Sequence, residues 1–249
     1  MHAGVTRHHL GLRLSFMAML EVAATPIVIA DWFEQLAPQP LAEAAPDPAR
    51  AAVFSADMVA GFCSSGALAS ERVGALAAPV TDLFRRAHEH GIRRFVLLQD
   101  AHHETTPEFQ AFPPHCLAGT PEAETIPELA SLPFAHLFTV IQKNSLHPAV
   151  GTGFDTWLDQ QLDLRTAIVV GDCTDLCTYH LAMHLRLRAN ATDLQGFEVI
   201  VPADAVDTYD LPREVAAETG APAHDGDFFH QVFLYHMALN GIRVVRALT

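Results

Sequence analysis

Ala167-Ile168-Val169-Val170-Gly171-Asp172-Cys173-Thr174-Asp175-Leu176-Cys177 reads as a buried strand, a tight turn and the start of a helix. Ile168 to Val170 are β-branched and bounded by Gly171, as in a strand covered on both faces. Thr174 or Asp175 is placed to cap the helix that follows. That helix carries apolar Leu176, Leu181, Leu185 and Leu187, then fades in Arg186, Arg188 and Asn190. Cys177 falls in its first turn. Free backbone N–H groups and the positive end of the helix dipole there favour a thiolate, and so a nucleophile. The same N–H groups suit an oxyanion. A small buried apolar residue is the plainer reading of Cys177 taken alone.

Outward from this stretch, strand and helix alternate. Ala52–Ala56 reads as a strand ending at Asp57. Glu71–His90 reads as helical, with apolar Val73, Leu76, Val80, Leu83 and Phe84 and a stop at Gly91; Pro79 kinks it or marks its start. Arg94–Leu98 is the next strand, ending near Asp100, and His136–Ile141 a third, ending near Lys143. Phe154–Leu162 is a short helix with Trp157 and Leu158 inward. Phe197–Val201, Asp227–Leu239 and Ile242–Leu248 complete the pattern as strand, helix and strand. The expected fold is a three-layer α/β/α sandwich with a mostly parallel, doubly wound sheet.

Residues 1–50 read as an N-terminal extension, and 51–249 as the main domain. Phe16, Met17, Leu20 and Ala24 share one face of a short helix that Pro26 ends, and Pro38, Pro40, Pro46 and Pro48 make a linker-like crossing. The extension is apolar enough to pack on the body or a second subunit, and a homo-oligomer is expected.

Half of the 249 residues are hydrophobic and the net charge is −14, which argues against a nucleic-acid partner. No run of about 18 apolar residues suggests a membrane span. Four scattered cysteines do not form a disulfide framework, so a reducing cytoplasm is the default.

Asp57, Asp100, Lys143 and Cys177 each fall near the carboxyl end of a different strand, the rim where open α/β sheets bind ligands. A carboxylate, an ammonium and a thiol there are a proton acceptor, a positive charge that favours thiolate, and a nucleophile. Singly, Asp57 also reads as a loop cap and Lys143 as a solvated lysine. The long loop 101–127 adds His102, His103, Glu104, Glu108 and His115. With Asp100 they offer a mixed N/O set for zinc, manganese or iron, against the plainer reading of a His-rich surface loop.

Four blocks resemble the isochorismatase-like cysteine hydrolases, and among them the nicotinamidases. They are Asp57-Met-Val-Ala-Gly-Phe-Cys-Ser-Ser-Gly-Ala-Leu68; Gln99-Asp-Ala-His102 with Phe112-Pro-Pro-His115-Cys-Leu-Ala-Gly-Thr120-Pro; Gln142-Lys143-Asn144; and Gly171-Asp-Cys-Thr-Asp-Leu-Cys177. Order and spacing agree from about Ala52 to the C-terminus. The resemblance implies a Cys177–Lys143–Asp57 triad that attacks a carboxamide through a thioester. It implies a cis Asp172–Cys173 peptide, with the N–H groups of Cys173 and Cys177 as oxyanion hole. It also implies a metal, zinc foremost, on Asp100, His102, Glu108 and His115, and Phe62 and Phe112 lining a pocket for a small amide. The chain departs from the pattern at Glu108, often histidine, at Ala101, usually Trp, at Phe112, often Trp, and at Thr178-Tyr179-His180, usually apolar. Two rivals remain: a metal-free hydrolase of another amide, carbamoyl or vinyl ether substrate, and a binding protein that kept the fold.

Overall fold

The structure, a computed structural model, describes residues 27–249; the expected helix around Phe16–Ala24 lies outside them. Residues 27–34 are helical and belong to a unit separate from Ala37–Thr249.

Within Ala37–Thr249, seven strands form one sheet: β1 (Ala51–Ala56), β2 (Arg94–Asp100), β3 (Phe138–Lys143), β4 (Thr166–Asp172), β5 (Glu198–Pro202), β6 (Val206–Asp207) and β7 (Arg243–Val245). The order is β3-β2-β1-β4-β5-β7, with β6 on β4, and every pairing is parallel. The longer helices are α1 (Ala77–His90), α2 (Phe154–Asp159), α3 (Cys177–Ala191), α4 (Arg213–Thr219) and α5 (Gly226–Leu239).

β1 and β4 are buried along their whole length, as their run of small and β-branched residues requires of central strands. Successive side chains point to opposite faces. Val53 joins Phe84 and Val80 of α1 in one core, together with Phe95, Leu97 and Ile168. Phe54 faces away from that core and meets the rings of Phe154 and Trp157 edge-on, each at 5.8 Å. The expected doubly wound α/β sheet is present.

Element edges shift by a few residues. The stretch expected as one helix from Glu71 breaks into Glu71–Gly74 and α1. Pro79 sits in the first turn of α1, where its missing N–H costs no bond. α2 stops at Asp159, short of Leu162.

A larger difference concerns residues 37–50, which composition marks as a linker. Leu41 N–H donates to Thr249 and Thr249 N–H to Gln39, while Leu41, Ala44 and Ala45 are buried in the main core. The prolines punctuate this segment, but its apolar residues find a shared core, and burial decides where it belongs. Among the described residues, no helix is long and apolar enough to cross a membrane.

Candidate active site

From β1 the chain order runs outward through β2 to β3, and from β4 outward through β5 to β7. The rim between β1 and β4 is therefore the topological switch point, where ligand crevices form. Asp57 leaves β1 in the left-handed region at φ 50°, which aspartate tolerates better than most residues. Gly171 in β4 has φ 103°, and a Cβ there would overlap the Ala56 carbonyl oxygen. Only glycine lets β4 approach β1 this closely before the chain turns to Cys177.

The structure brings Asp57, Asp100, Lys143 and Cys177 together. Lys143 Nζ lies 2.7 Å from Asp57 Oδ2 and 2.6 Å from Asp100 Oδ1, and donates to Cys177 Sγ at 3.4 Å. The Asp100 backbone N–H donates to Asp57 Oδ1 at 2.7 Å. All four side chains are buried. Burial alone would neutralise the Lys143 ammonium, but the Asp100 and Asp57 carboxylates hold its pKa well above the usual lysine value. Burial and the Asp100 charge push the Asp57 carboxyl up to about 6.

The helix-terminus and ammonium effects that favour a thiolate are outweighed here. Burial, outweighing nearby Lys143 and joined by the Asp57 and Asp100 charges, pushes the Cys177 thiol well above its usual range. The resting site above about pH 6 therefore pairs a thiol with a neighbouring carboxylate. The capping expectation is corrected, because the helix N-cap is Leu176 and no side chain caps it. Thr174 Oγ1 instead bonds His230, and Asp175 accepts from Thr208 and pairs with His224 at 2.8 Å. Leu187, which its spacing puts with the apolar residues of the helix, is 51% exposed. The peptide between Asp172 and Cys173 is cis.

The metal candidates also converge. The loop after β2 folds back so that His102 N–H donates to Cys116 and Ala118 N–H to His102, which sets His115 beside His102. One ligand atom from each of Asp100, His102, Glu108 and His115 lies within 4.8 Å of the others. Three of these atoms, Asp100 Oδ2, His102 Nε2 and Glu108 Oε1, are buried without a hydrogen-bond partner.

The histidine tautomers follow from their neighbours. His102 Nδ1 faces Asn144 Oδ1 at 3.2 Å, and that oxygen also accepts from His103 N–H. His115 Nδ1 faces the Pro113 carbonyl at 2.8 Å. Both Nδ1 atoms face carbonyl oxygens and donate to them, which leaves both Nε2 atoms turned toward the carboxylates. Two histidine nitrogens and two carboxylates packed this closely fit a divalent cation, with Asn144 and Pro113 orienting the histidines.

Phe62 and Phe112 line a small cavity with Cys177, Asp100, His115 and Asp172. Sequence reasoning missed Leu146 and Leu176 on the same wall, and Asn144 behind His102. Asn144 directly follows Lys143, so its place at a strand end was the available signal. Phe62 and Phe112 also line an adjoining apolar cavity of about 520 Å³ under the 209–224 segment, which leaves room beyond a single ring.

A parallel sheet with thiol, ammonium and carboxylate at its switch point defines the cysteine-hydrolase class of α/β proteins. The isochorismatase domain matches residues 51–223, and the chain belongs to the isochorismatase family, on its nicotinamidase branch. It is 32% identical over 202 residues to nicotinamidase 1 of Arabidopsis thaliana, covering 76% of this chain and 82% of that one. A cysteine hydrolase from Pseudomonas syringae superposes with TM-score 0.65 at 22% identity, over 84% of this chain and 92% of that one. A pyrazinamidase from Pyrococcus horikoshii, solved in complex with zinc, superposes with TM-score 0.59 at 22% identity, over 79% and 99%.

Proposed function

We propose that this amide-bond hydrolase converts nicotinamide, or a close aromatic carboxamide, to the acid and ammonia. The observation that carries the reading is Lys143, shared between Asp57 and Asp100 and touching Cys177, beside a nitrogen–oxygen cluster short of a cation. The similarity to the Arabidopsis nicotinamidase supports the substrate.

The steps follow from the charges. Asp57 takes the Cys177 thiol proton as Sγ bonds to the carboxamide carbon, and the transfer offsets the high thiol pKa at the moment of attack. Lys143 stays charged throughout, so the thiolate forms beside an ammonium and next to an Asp57 that has just been protonated. The N–H groups of Cys173 and Cys177 receive the oxyanion. Asp57 returns its proton to the leaving nitrogen, ammonia departs, and a thioester remains. Water then attacks the thioester, giving its proton to Asp57, and the acid leaves as Sγ is protonated again.

Asp100, His102, Glu108 and His115 would hold a divalent metal, with zinc first and manganese or iron as alternatives. Such an ion supplies a Lewis-acid contact for the pyridine nitrogen. Phe62 and Phe112 would flank the ring. The four free cysteines support a reducing cytoplasm, and nicotinate as the product supports a role in NAD salvage. The apolar residues that precede Ala37 in the sequence support a homo-oligomer.

Ammonia release from nicotinamide, measured for wild type and Cys177→Ala after zinc, manganese or iron is restored, tests the reading. Release by wild type that disappears in the variant supports it. No release by wild type, with Cys177 still quickly alkylated, sinks nicotinamide and keeps the cysteine hydrolase.

A further inference from the structure

Asp172 ends β4 and is 1% exposed. Its Oδ2 is buried with no hydrogen-bond partner, and the Cys173 thiol is 3.9 Å from its Oδ1. Buried polar atoms in native proteins nearly always find partners, and an orphan in a site calls for one that arrives with a ligand. The carboxyl lines the small cavity that also exposes Cys177, Phe62 and His115. β4 pairs with β1 at Gly171 and Ala56, which sets Asp172 beside Asp57. The nearby cation, Lys143, is already held by Asp57 and Asp100.

The charge state follows from this setting. Burial, then repulsion from Asp57, keeps the Asp172 carboxyl well above the usual carboxylate range. A neutral carboxyl offers one O–H donor and one C=O acceptor. A primary carboxamide offers the complement, a C=O acceptor and an N–H donor. A neutral carboxyl also adds no negative charge beside the developing oxyanion, as other enzymes show with carboxylic acids kept protonated by burial.

We propose that Asp172 is a substrate-positioning residue whose orphaned carboxyl hydrogen-bonds the scissile carboxamide beside Cys177. This rests on the amide-hydrolase reading above and extends it to a residue outside the triad and the metal set.

The test compares zinc-loaded wild type, Asp172→Asn and Asp172→Val. Asn keeps a neutral donor and acceptor in the same shape, whereas Val keeps the shape alone. Ammonia release from nicotinamide gives KM and kcat. Modification of Cys177, followed on its own peptide, is timed with iodoacetamide, which carries a carboxamide, and with methyl methanethiosulfonate, which does not.

In Asp172→Val the iodoacetamide rate is expected to fall and KM to rise, each about 10-fold. The thiosulfonate rate should stay within about 2-fold, and Asp172→Asn should restore both quantities. An equal fall with both reagents would mean that the residue acts on Cys177 and not on the amide, and would overturn the proposal. So would an unchanged KM and iodoacetamide rate in Asp172→Val, or an Asn variant as impaired as Val. If Val fails to fold, Asp172→Ala supplies the same comparison, since it also removes both donor and acceptor. A wild type that releases no ammonia refutes nicotinamide as substrate, while the ratio of the two modification rates still decides the role of Asp172.

Discussion

Asp100 sits between two buried groups of polar side chains, and its two oxygens face different neighbours. Toward Asp57, Lys143 and Cys177 it offers Oδ1, 2.6 Å from the Lys143 ammonium. Toward His102, Glu108 and His115 it offers Oδ2, which lies 3.3 Å from His102 Nε2 without a hydrogen bond. The first group holds its own cation, shared by two carboxylates. The second holds two histidine nitrogens and two carboxylates that face one another. Burial raises the cost of any unbalanced charge, so the first group is held by its own ammonium, whereas the second has the donor set of a cation site. On the proposed reading the triad is a property of the chain, and the histidine cluster a property of the chain plus an ion.

The comparison can be broken most sharply at Asp57. If Asp57 is the proton acceptor, Asp57→Asn should lower kcat/KM about 10⁴-fold in ammonia release. A fall of less than about 10-fold would leave the thiol proton some other acceptor.

The next test strikes the cation. Lys143→Met leaves the Asp57 and Asp100 carboxylates buried without a counter-charge and should destabilise the fold by about 3–5 kcal/mol, read from urea unfolding at pH 8. A variant as stable as wild type would show that the triad tolerates imbalance as well as the histidine cluster does.

For that cluster the sign reverses, since adding an ion should stabilise. Zinc at about 100 times its dissociation constant should add about 2.7 kcal/mol to metal-stripped protein, seen as a rise in Tm that chelator reverses. The gain should vanish in His102→Ala, and a gain that persists there would place the ion elsewhere.

The smallest effect lies one shell out. Asn144 accepts from both His102 Nδ1 and the His103 N–H, so Asn144→Ala should free the His102 ring and weaken metal affinity about 10- to 100-fold. Equilibrium zinc binding in competition with a chelator measures this. Affinity unchanged from wild type would mean that packing against Phe109, 5.5 Å from the His102 ring, holds the ring without Asn144.

Particular residues show what could be read before folding. Ile168–Val170 with Gly171 gave a central strand because β-branched runs closed by glycine have few other uses. Asp57, Asp100, Lys143 and Cys177 could be gathered at one rim because parallel order puts every strand's carboxyl end on the same side. Glu108 entered the metal set through the resemblance to the nicotinamidases, by counting back from His115 to a position that is often histidine there. Asp172, in contrast, was legible only as one partner of a peptide bond, and Asn144 only as the residue after a lysine. Residues 37–50 looked like linker because prolines are local signals, while Leu41 and Ala44 meet their core partners far along the chain.

The sequence alone therefore determined all the strands but β6, their mostly parallel sense, the rim and the chemical types gathered there. These depend on steric preference and on periodicity over a few residues. Tertiary structure alone decided that Lys143 bridges two carboxylates, that Cys177 rests as a thiol, that two histidines turn their Nε2 atoms inward, and that Asp172 Oδ2 has no partner. Each of these depends on burial and on charges from segments distant in sequence, and the local pattern of residues carries no record of either.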